Sequence, residues 1–216
     1  MTPAELVARF PVIWHMTESE SWPQIQKHGL LSTSAILDLY GVSGERRRAL
    51  ERCRRPESVV LKDKALGKMT IRDQKPLNEK LLARCLTGMS PEDWYLTLNQ
   101  RVFFWVQRAR LDRLLCARAY RNRAHTILAI GTDQLVAAHE NAITLAKINS
   151  GAIHPGSLAA RGAGTFEPLR TYPSKDVGRV VELAVDYAVP DAATMVSKRE
   201  RRRCESVDSI NRVERR

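Results

Sequence analysis

The sequence lacks any apolar run that could cross a bilayer. The longest runs, Thr126–Ile130 and Val180–Val185, fall far short of the roughly 20 residues that a membrane helix requires. The start, Met1–Arg9, shows no apolar stretch followed by small residues, so we expect no secretory signal. These absences favour a soluble, cytoplasmic chain that has no membrane partner.

Closely spaced cysteines are also missing. Cys53, Cys85, Cys116 and Cys204 form no CxxC or CxxxC pair. Zinc sites and disulfide frameworks usually show such spacing, so we expect no metal site and reduced thiols in a reducing compartment.

Motifs of several large enzyme classes are absent, namely GxGxxG, a P-loop, HExxH and a Ser-His-Asp order. Helical and β-prone stretches alternate without the βαβ rhythm of a parallel sheet. The β-prone stretches predict strands at Val59–Leu61, Met69–Ile71, Val102–Val106, Thr126–Ile130, Ile143–Leu145 and Val180–Val185. We therefore expect one α+β domain over residues 1–197, and then a basic tail, 198–216, that is a solvated helix or disordered.

Basic residues outnumber acidic ones, at 35 against 24 in 216 residues, and arginine carries most of the excess. Arginine grips phosphate in a bidentate fork, so nucleic acid is one candidate partner. Candidate contacts are Arg46, Arg47 and Arg54 in a predicted helix over Ser43–Arg55, and Arg161 in a later loop. The alternative is that the charge only solvates the surface.

Three short motifs carry the polar residues of interest. In the first, a predicted strand over Val12–Trp14 closes on His15, followed by Met16-Thr17 and, after a helix ending near Gly29, by Leu30–Ser32. Imidazole can donate from one nitrogen while the backbone fixes the other, which suits a ligand contact. The alternative for His15 is a structural role at a strand end.

The second motif is the aromatic strand Arg101–Trp105, with Asn99 just before it. An arginine at this strand's start is a natural partner for a pyrophosphate, as is Arg72 after the strand Met69–Ile71. The alternative is an ordinary core strand.

The third motif is Glu182 inside the apolar run Val180–Val185. An acid in such a strand is costly to bury unless it is paired or functional, although Glu182 could also face solvent. The long glycine-bearing segment ahead of it, which includes Asn149–Ala152, is either a binding loop or a flexible connection.

In this order, the motifs resemble the ADP-ribosyltransferase superfamily and its DarT-like members, over about residues 12–190. The resemblance implies a split, mostly antiparallel sheet surrounded by helices, with NAD in the cleft between its halves. It assigns His15 to the nicotinamide ribose, with Thr17 beside it, and Glu182 to catalysis. The remaining NAD contacts that it implies are Phe104 or Trp105 on the nicotinamide ring, with Arg72, Asn99 and Arg101 on the polar groups.

The resemblance further implies an NAD-consuming transferase that modifies nucleic acid, in a toxin or phage-defence role with an antitoxin partner. The superfamily's tyrosine is replaced here by Phe or Trp, which leaves an enzyme acting on a phosphorylated small molecule open. A non-catalytic nucleic-acid-binding module on the same fold is the third interpretation. Such a module has no use for a carboxylate in a basic cleft.

Overall fold

The computed structural model of the chain describes residues 1–153, 155–156 and 158–204. Eleven strands form within these ranges: β1 (Val12–Glu18), β2 (Leu30–Leu31), β3 (Val59–Asp63), β4 (Gly67–Ile71), β5 (Arg101–Trp105), β6 (His125–Gly131), β7 (Ile143–Ala146), β8 (Glu167–Pro168), β9 (Glu182–Asp186), β10 (Ala188–Val189) and β11 (Val196–Arg202). The same ranges hold nine α-helices: α1 (Pro3–Arg9), α2 (Trp22–His28), α3 (Thr33–Leu39), α4 (Gly44–Glu51), α5 (Glu79–Cys85), α6 (Pro91–Asn99), α7 (Arg108–Leu115), α8 (Thr132–His139) and α9 (Ala192–Met195). The α+β class is confirmed, and each of the six strands expected from β-prone runs is present within a few residues.

Seven strands build the main sheet, in the order β11-β6-β1-β5-β9-β7-β8. Every neighbouring pair in this sheet is antiparallel, which confirms the expected strand direction. Two small antiparallel pairs lie outside the main sheet, β2 with β10 and the hairpin of β3 with β4.

The seam between β1 and β5 is the weak point of the sheet. Among the described residues these two strands share the single register pair Trp14↔Trp105. By contrast, β1 forms seven register pairs with β6 and β5 forms five with β9. Beyond the tryptophan pair, His15–Glu18 and Arg101–Phe104 therefore continue side by side without a hydrogen-bonded ladder.

The apolar side chains form one large core on one face of the main sheet and two smaller clusters on the other, while a fourth cluster joins α3 and α4 to the β3–β4 hairpin. The large core takes its helical residues from α1, α2, α8 and α9. On the opposite face, α5 and α6 pack against one cluster and α7 against another. The second face is thus covered by two separate groups of helices, one on each side of the seam.

Local sequence signals account for several element ends. Ser90 caps α6 by accepting from the Asp93 amide, with Pro91 in the first turn, as its sequence predicts. Gly29 ends α2 at φ +75°, and a Cβ there would lie 2.3 Å from the Val189 carbonyl oxygen. Only glycine fits this turn, because both its φ and its close approach exclude a side chain.

Two expected boundaries were wrong. β1 runs to Glu18, so His15 lies inside the strand instead of closing it, because pairing with β6 continues along the whole of β1. The predicted helix over Ser43–Arg55 ends at Glu51. The chain turns there and places the Arg55 side chain in a buried site, where its Nε donates to the Arg72 carbonyl at 3.1 Å.

The expectation of a basic tail from residue 198 was also wrong for its first residues. Lys198–Arg202 belong to β11, which pairs with β6 at the edge of the sheet. Charged side chains on an edge strand protect it from pairing with other chains, so a basic run fits an edge strand as well as a tail. The remainder of the expected tail, 205–216, lies outside the described residues.

The expectation of four reduced thiols was wrong as well, because Cys116 and Cys204 form a disulfide. The bond joins the end of α7 to the residues after β11, across a sequence separation of 88. Cysteine spacing did not indicate it, since only the sheet order brings these segments together. Cys85 is a buried free thiol and Cys53 an exposed one.

In the part of the chain that the structure describes, no helix has the length and apolar character needed to cross a membrane. The described residues also contain no group of His, Cys, Asp and Glu that could hold a metal ion.

Candidate active site

A cavity of about 930 Å³ opens where β1 and β5 separate. Its volume falls in the range of about 300–1,000 Å³ that is typical of small-molecule and cofactor sites. The cavity is lined by every residue that the sequence assigned to catalysis or NAD binding: His15, Thr17, Arg72, Asn99, Arg101, Phe104, Trp105 and Glu182. The fold thus brings these distant positions to one place, although their side chains differ in what they offer there.

Glu182 is the first residue of β9, directly opposite Trp105 of β5. It is only 5% exposed, so the alternative that it faces solvent was wrong. Its Oε2 accepts hydrogen bonds from the amide of Ser150 at 3.0 Å and from the hydroxyl of Ser150 at 2.6 Å. Burial raises the pKa of the Glu182 carboxyl to about 7, against the opposing effects of Ser150 and of the positive charges of Arg161 and Arg110. The carboxyl can therefore give or take a proton near neutral pH.

His15 is fixed by the backbone of the neighbouring strand. Its Nδ1 lies 2.8 Å from the carbonyl oxygen of Phe103. A carbonyl can only accept, so Nδ1 carries the proton and Nε2 remains a hydrogen-bond acceptor. Burial, aided by the positive charge of Arg72, lowers the pKa of His15 to about 4. The ring is therefore neutral at pH 7 and offers a lone pair on the cavity wall.

Arg72 lies on the β1 side of the cavity. Its Nη1 donates to the carbonyl of Met16 at 2.8 Å, and its guanidinium lies 5.1 Å above the Tyr120 ring. Carbonyls that have lost a strand partner must find another donor. His15 and Arg72 provide such donors for one carbonyl on each side of the seam, so these two cavity side chains also hold the separated strands.

The aromatic strand divides its rings between the core and the cavity. Phe104 is 1% exposed and belongs to the large core, so the expectation that it stacks on a ligand was wrong. Its ring instead supports His15, at a centroid distance of 5.7 Å. Trp105 is partly exposed and lines the cavity, which makes it the better candidate for ring stacking.

Asn99 and Arg101 line the cavity but are engaged by the protein itself. The side chain of Asn99 accepts from Arg55 at 2.9 Å and donates to the Glu51 carbonyl at 2.7 Å. The guanidinium of Arg101 donates to the Thr97 carbonyl at 2.6 Å and lies 3.1 Å from an Asp186 carboxylate oxygen. The structure gives both residues partners within the protein, so the contact of Asn99 with NAD and that of Arg101 with its pyrophosphate stay predictions.

The arginines of α4 are largely neutralised. Arg47 forms ion pairs with Asp38 and with Glu51, and neighbouring arginines of the helix pair with carboxylates of α6. Arg46 alone of the candidates on this helix is exposed and has no ion pair among the described residues. A helix whose charges are matched by local carboxylates attracts phosphate weakly, so these ion pairs count against α4 as a nucleic-acid contact, although the assignments of Arg46 and Arg47 stay predictions.

The other two candidate nucleic-acid contacts are hydrogen-bonded to the backbone of the protein itself. Arg54 donates to the carbonyls of Leu77 at 2.7 Å and Lys75 at 3.1 Å. Arg161 is 2% exposed, and its guanidinium is surrounded by backbone carbonyls. Burial keeps Arg161 from an external polyanion, so its assignment was wrong, whereas Arg54 is only partly buried and its assignment stays a prediction.

Sequence reasoning missed two buried polar residues of the cavity wall. The Tyr120 hydroxyl donates to Asp73 at 3.0 Å, and burial raises the pKa of Tyr120. Arg55 is 6% exposed, and burial lowers its pKa to about 10. No local motif marks either residue, although Asp73 adjoins the candidate Arg72.

A group of exposed arginines that are mostly free of ion pairs in the described part of the chain lies at the mouth of the cavity and not on α4. We call Arg121, Arg123, Arg201 and Arg203 the basic rim. The last three line the cavity directly, and Arg121 lies in the same loop as Arg123. Arg123 is ion-paired with Glu18, whereas the other three have no ion pair among the described residues. The disulfide described above connects the two segments that carry this rim.

A model of the family described as "Family of unknown function (DUF7002)" matches residues 11–196. The chain belongs to the DUF7002 family. The match begins just before β1 and ends at the first residue of β11, so it includes His15, Ser150 and Glu182. Among the curated proteins, none matches the chain. The description of the DUF7002 family states no activity, so the function has to be inferred from the residues of the cavity.

The raised pKa of Glu182 predicts a pH-dependent stability. An unfolded glutamate titrates near 4.5 and the folded one near 7, so the folded state binds more protons between these values. The contribution of Glu182 is fully present below pH 4.5 and is lost as pH rises through 7. Glutamine does not titrate. We therefore expect the unfolding free energy of Glu182→Gln, minus that of wild type, to rise by about 2 kcal/mol from pH 5 to pH 8.

Denaturant unfolding of both proteins at the two pH values checks this prediction. His15 has the opposite linkage, because its lowered pKa removes stability as pH falls from 6.5 towards 4. Both proteins retain His15, so its contribution cancels in the comparison. Stability curves that stay parallel across this pH range would show that Glu182 titrates normally.

Proposed function

We propose that the chain is an NAD-dependent ADP-ribosyltransferase-like enzyme whose acceptor is nucleic acid. The observation that carries this proposal is Glu182, a buried carboxyl on a cavity wall, held by Ser150 and titrating near neutral pH. Perturbed carboxyls in clefts are typical of catalytic sites. The single register pair between β1 and β5 supports a cleft of the split-sheet kind.

The proposed reaction breaks the bond between nicotinamide and the ribose of NAD. Nicotinamide leaves with the bonding electron pair, and the ribose develops oxocarbenium character as in glycoside hydrolysis. The Glu182 carboxylate stabilises this positive charge. An acceptor nucleophile then bonds to the ribose carbon, and Glu182 takes the proton that the nucleophile loses, a transfer that suits a pKa near 7.

The other cavity residues would bind and orient NAD. The unprotonated Nε2 of His15 is suited to accept a hydrogen bond from a ribose hydroxyl. Trp105 presents a partly exposed ring beside Glu182 in the strand register, which suits packing against nicotinamide. Arg72 lines the cavity and is ion-paired with Glu18 at 3.6 Å, so the phosphates of NAD would compete with that carboxylate for its guanidinium.

The basic rim supports nucleic acid as the acceptor. Its arginines are exposed at the mouth of the cavity, whereas those of α4 are matched by carboxylates. A polyanion bound at the rim would lie next to the opening that leads to Glu182. Charge placement therefore favours the rim over α4 as the acceptor surface.

Removing the rim charges tests this placement. We expect the triple variant Arg121→Ala, Arg201→Ala, Arg203→Ala to weaken oligonucleotide binding and to reduce the slope of log affinity against log salt by about two. Fluorescence anisotropy over a salt series measures both quantities. The matched control removes three ion-paired arginines elsewhere, Arg48, Arg52 and Arg170, and is expected to change the slope little. Equal effects of the two triple variants would remove the support for the rim.

Transfer itself is tested with NAD radiolabelled in its adenosine part, incubated with single-stranded DNA, duplex DNA or RNA. Label bound covalently to one of these polymers supports the proposal and identifies the acceptor. Oligonucleotide binding with intact NAD would favour the non-catalytic module. Label found only on a small molecule would remove nucleic acid as the acceptor.

A further inference from the structure

Arg161 occupies an unusual position for an arginine, buried in the loop between β7 and β8. Its backbone is fixed against the end of α5, since its amide donates to the Cys85 carbonyl and its carbonyl accepts from the Thr87 amide, both at 2.8 Å. These two bonds anchor the main chain of Arg161, from which its side chain extends.

The guanidinium of Arg161 clamps the loop segment 149–152. One nitrogen, Nη2, donates to the carbonyls of Asn149 at 3.2 Å and Ala152 at 2.8 Å, and Nη1 donates to Ala159 at 2.7 Å. Between the first two carbonyls lies Ser150, whose amide and hydroxyl hold Glu182. A chain of hydrogen bonds thus leads from Arg161 through this loop to the carboxyl.

A neutral donor could satisfy these carbonyls at a lower cost of burial. Burying a guanidinium is unfavourable, and burial indeed lowers the pKa of Arg161. Among the described residues, no carboxylate lies within ion-pair distance of it. Glu182 is nevertheless near enough for the positive charge of Arg161 to lower the pKa of its carboxyl.

We propose that Arg161 is a positioning residue that sets the conformation of the loop 149–152 and so presents Ser150 to Glu182. The proposal rests on the proposed function only for its catalytic consequence. The positive charge of Arg161 has a second effect, because it favours the ionised form of Glu182 at the pH where the carboxylate is needed.

Two variants separate the hydrogen-bonding role of Arg161 from its charge. Arg161→Met keeps an unbranched apolar stem and removes both, while Arg161→Lys keeps the charge and loses the planar fork that reaches several carbonyls. The matched control is Arg170→Met, an exposed arginine paired with Glu140 away from the cavity.

The first readouts use the protein without NAD. The carboxyl NMR signal of Glu182, assigned by its absence from Glu182→Gln, gives the titration midpoint, and the Ser150 amide gives an exchange rate. We expect Arg161→Met to raise the midpoint by about one pH unit and to speed amide exchange. Arg161→Lys keeps the positive charge but loosens the Ser150 hydrogen bonds, so we expect it to raise the midpoint by less than Arg161→Met does and to speed exchange.

Activity adds a readout that a merely structural role would not move. A midpoint near 8 lowers the ionised fraction at pH 7 about fivefold, so kcat of Arg161→Met should fall by that factor at pH 7 and recover towards pH 9. KM should change less than kcat. A deficit that is equal at all pH values would contradict the effect of the charge.

The inference is overturned if folded Arg161→Met keeps the wild-type midpoint and the wild-type exchange of Ser150. If Arg161→Met does not fold, unchanged Ser150 exchange in Arg161→Lys overturns the positioning role. Wild type that cleaves no NAD contradicts the proposed function, and the NMR readouts then still decide whether Arg161 positions Ser150.

Discussion

Glu182→Gln is expected to lower the rate of NAD cleavage about a thousandfold, at the upper end of what removing one stabilising group from an active site does. The amide has the same shape and can still accept from Ser150, so the fold and NAD binding should remain. It carries no negative charge for the developing cation and takes no proton from the acceptor. The rate constant and the dissociation constant for NAD, measured on the same preparation, check both parts.

Asp186→Asn is the control for this variant. Asp186 lies on the same strand, its side chain is half exposed and pairs with Arg101, and Asp186 itself does not line the cavity. Its replacement should leave the rate near wild type. A Glu182→Gln protein that cleaves NAD as fast as wild type would remove Glu182 from the mechanism.

His15→Ala is expected to lower kcat/KM for NAD about a hundredfold, because in the proposed mechanism His15 binds the ribose and because its ring also holds the seam. The loss includes the hydrogen bond to the Phe103 carbonyl, which is left without its donor. Two hydrogen bonds to partly buried groups account for roughly 2–3 kcal/mol, which corresponds to that factor. Steady-state kinetics over a range of NAD concentrations measures it.

His139→Ala provides a matched histidine control. His139 is also partly buried and is hydrogen-bonded to Asp191 at 2.6 Å, but it does not line the cavity. Any loss of stability from removing a histidine should appear in both variants, whereas the loss of kcat/KM should appear in His15→Ala alone. A His15→Ala protein with wild-type kcat/KM would leave His15 with a structural role only.

The sequence predicted much of the fold because the signals for strands and caps are local. β-prone runs located the strands, and Ser90 and Gly29 marked helix ends through their backbone geometry. The candidate cavity residues were found through the order of short motifs, and all of them line one cavity. The strand and cap predictions share a feature, since each depends on residues that are close together in the chain, whereas the roles of the cavity residues stay predictions.

The contacts that the sequence did not predict join partners that are distant in the chain. Arg101 and Asp186 meet only because β5 pairs with β9, and Arg48 reaches Glu92 only because α4 packs against α6. Ion pairs of this kind decide whether the guanidinium of an arginine is available to a ligand. The disulfide and the pairing of β11 depend in the same way on the order of strands in the sheet.

His15 and Glu182 illustrate how a functional site can be recognised by the free energy that it costs to bury ionisable side chains. Burial favours the uncharged form of each side chain. It lowers the pKa of His15 to about 4 and raises the pKa of Glu182 to about 7. Each shift also opposes stability over part of the pH range, so neither residue is explained by stability alone. Their occurrence on one cavity is the physical basis for placing catalysis there.

The most direct test of NAD cleavage at this site is the release of free nicotinamide from NAD by wild type and Glu182→Gln, with and without DNA and RNA. We expect release by wild type that increases with one of the nucleic acids, and almost none by Glu182→Gln under any condition. No release by wild type in any mixture, together with no binding of NAD to the cavity, would contradict the proposed enzyme and favour a nucleic-acid-binding module.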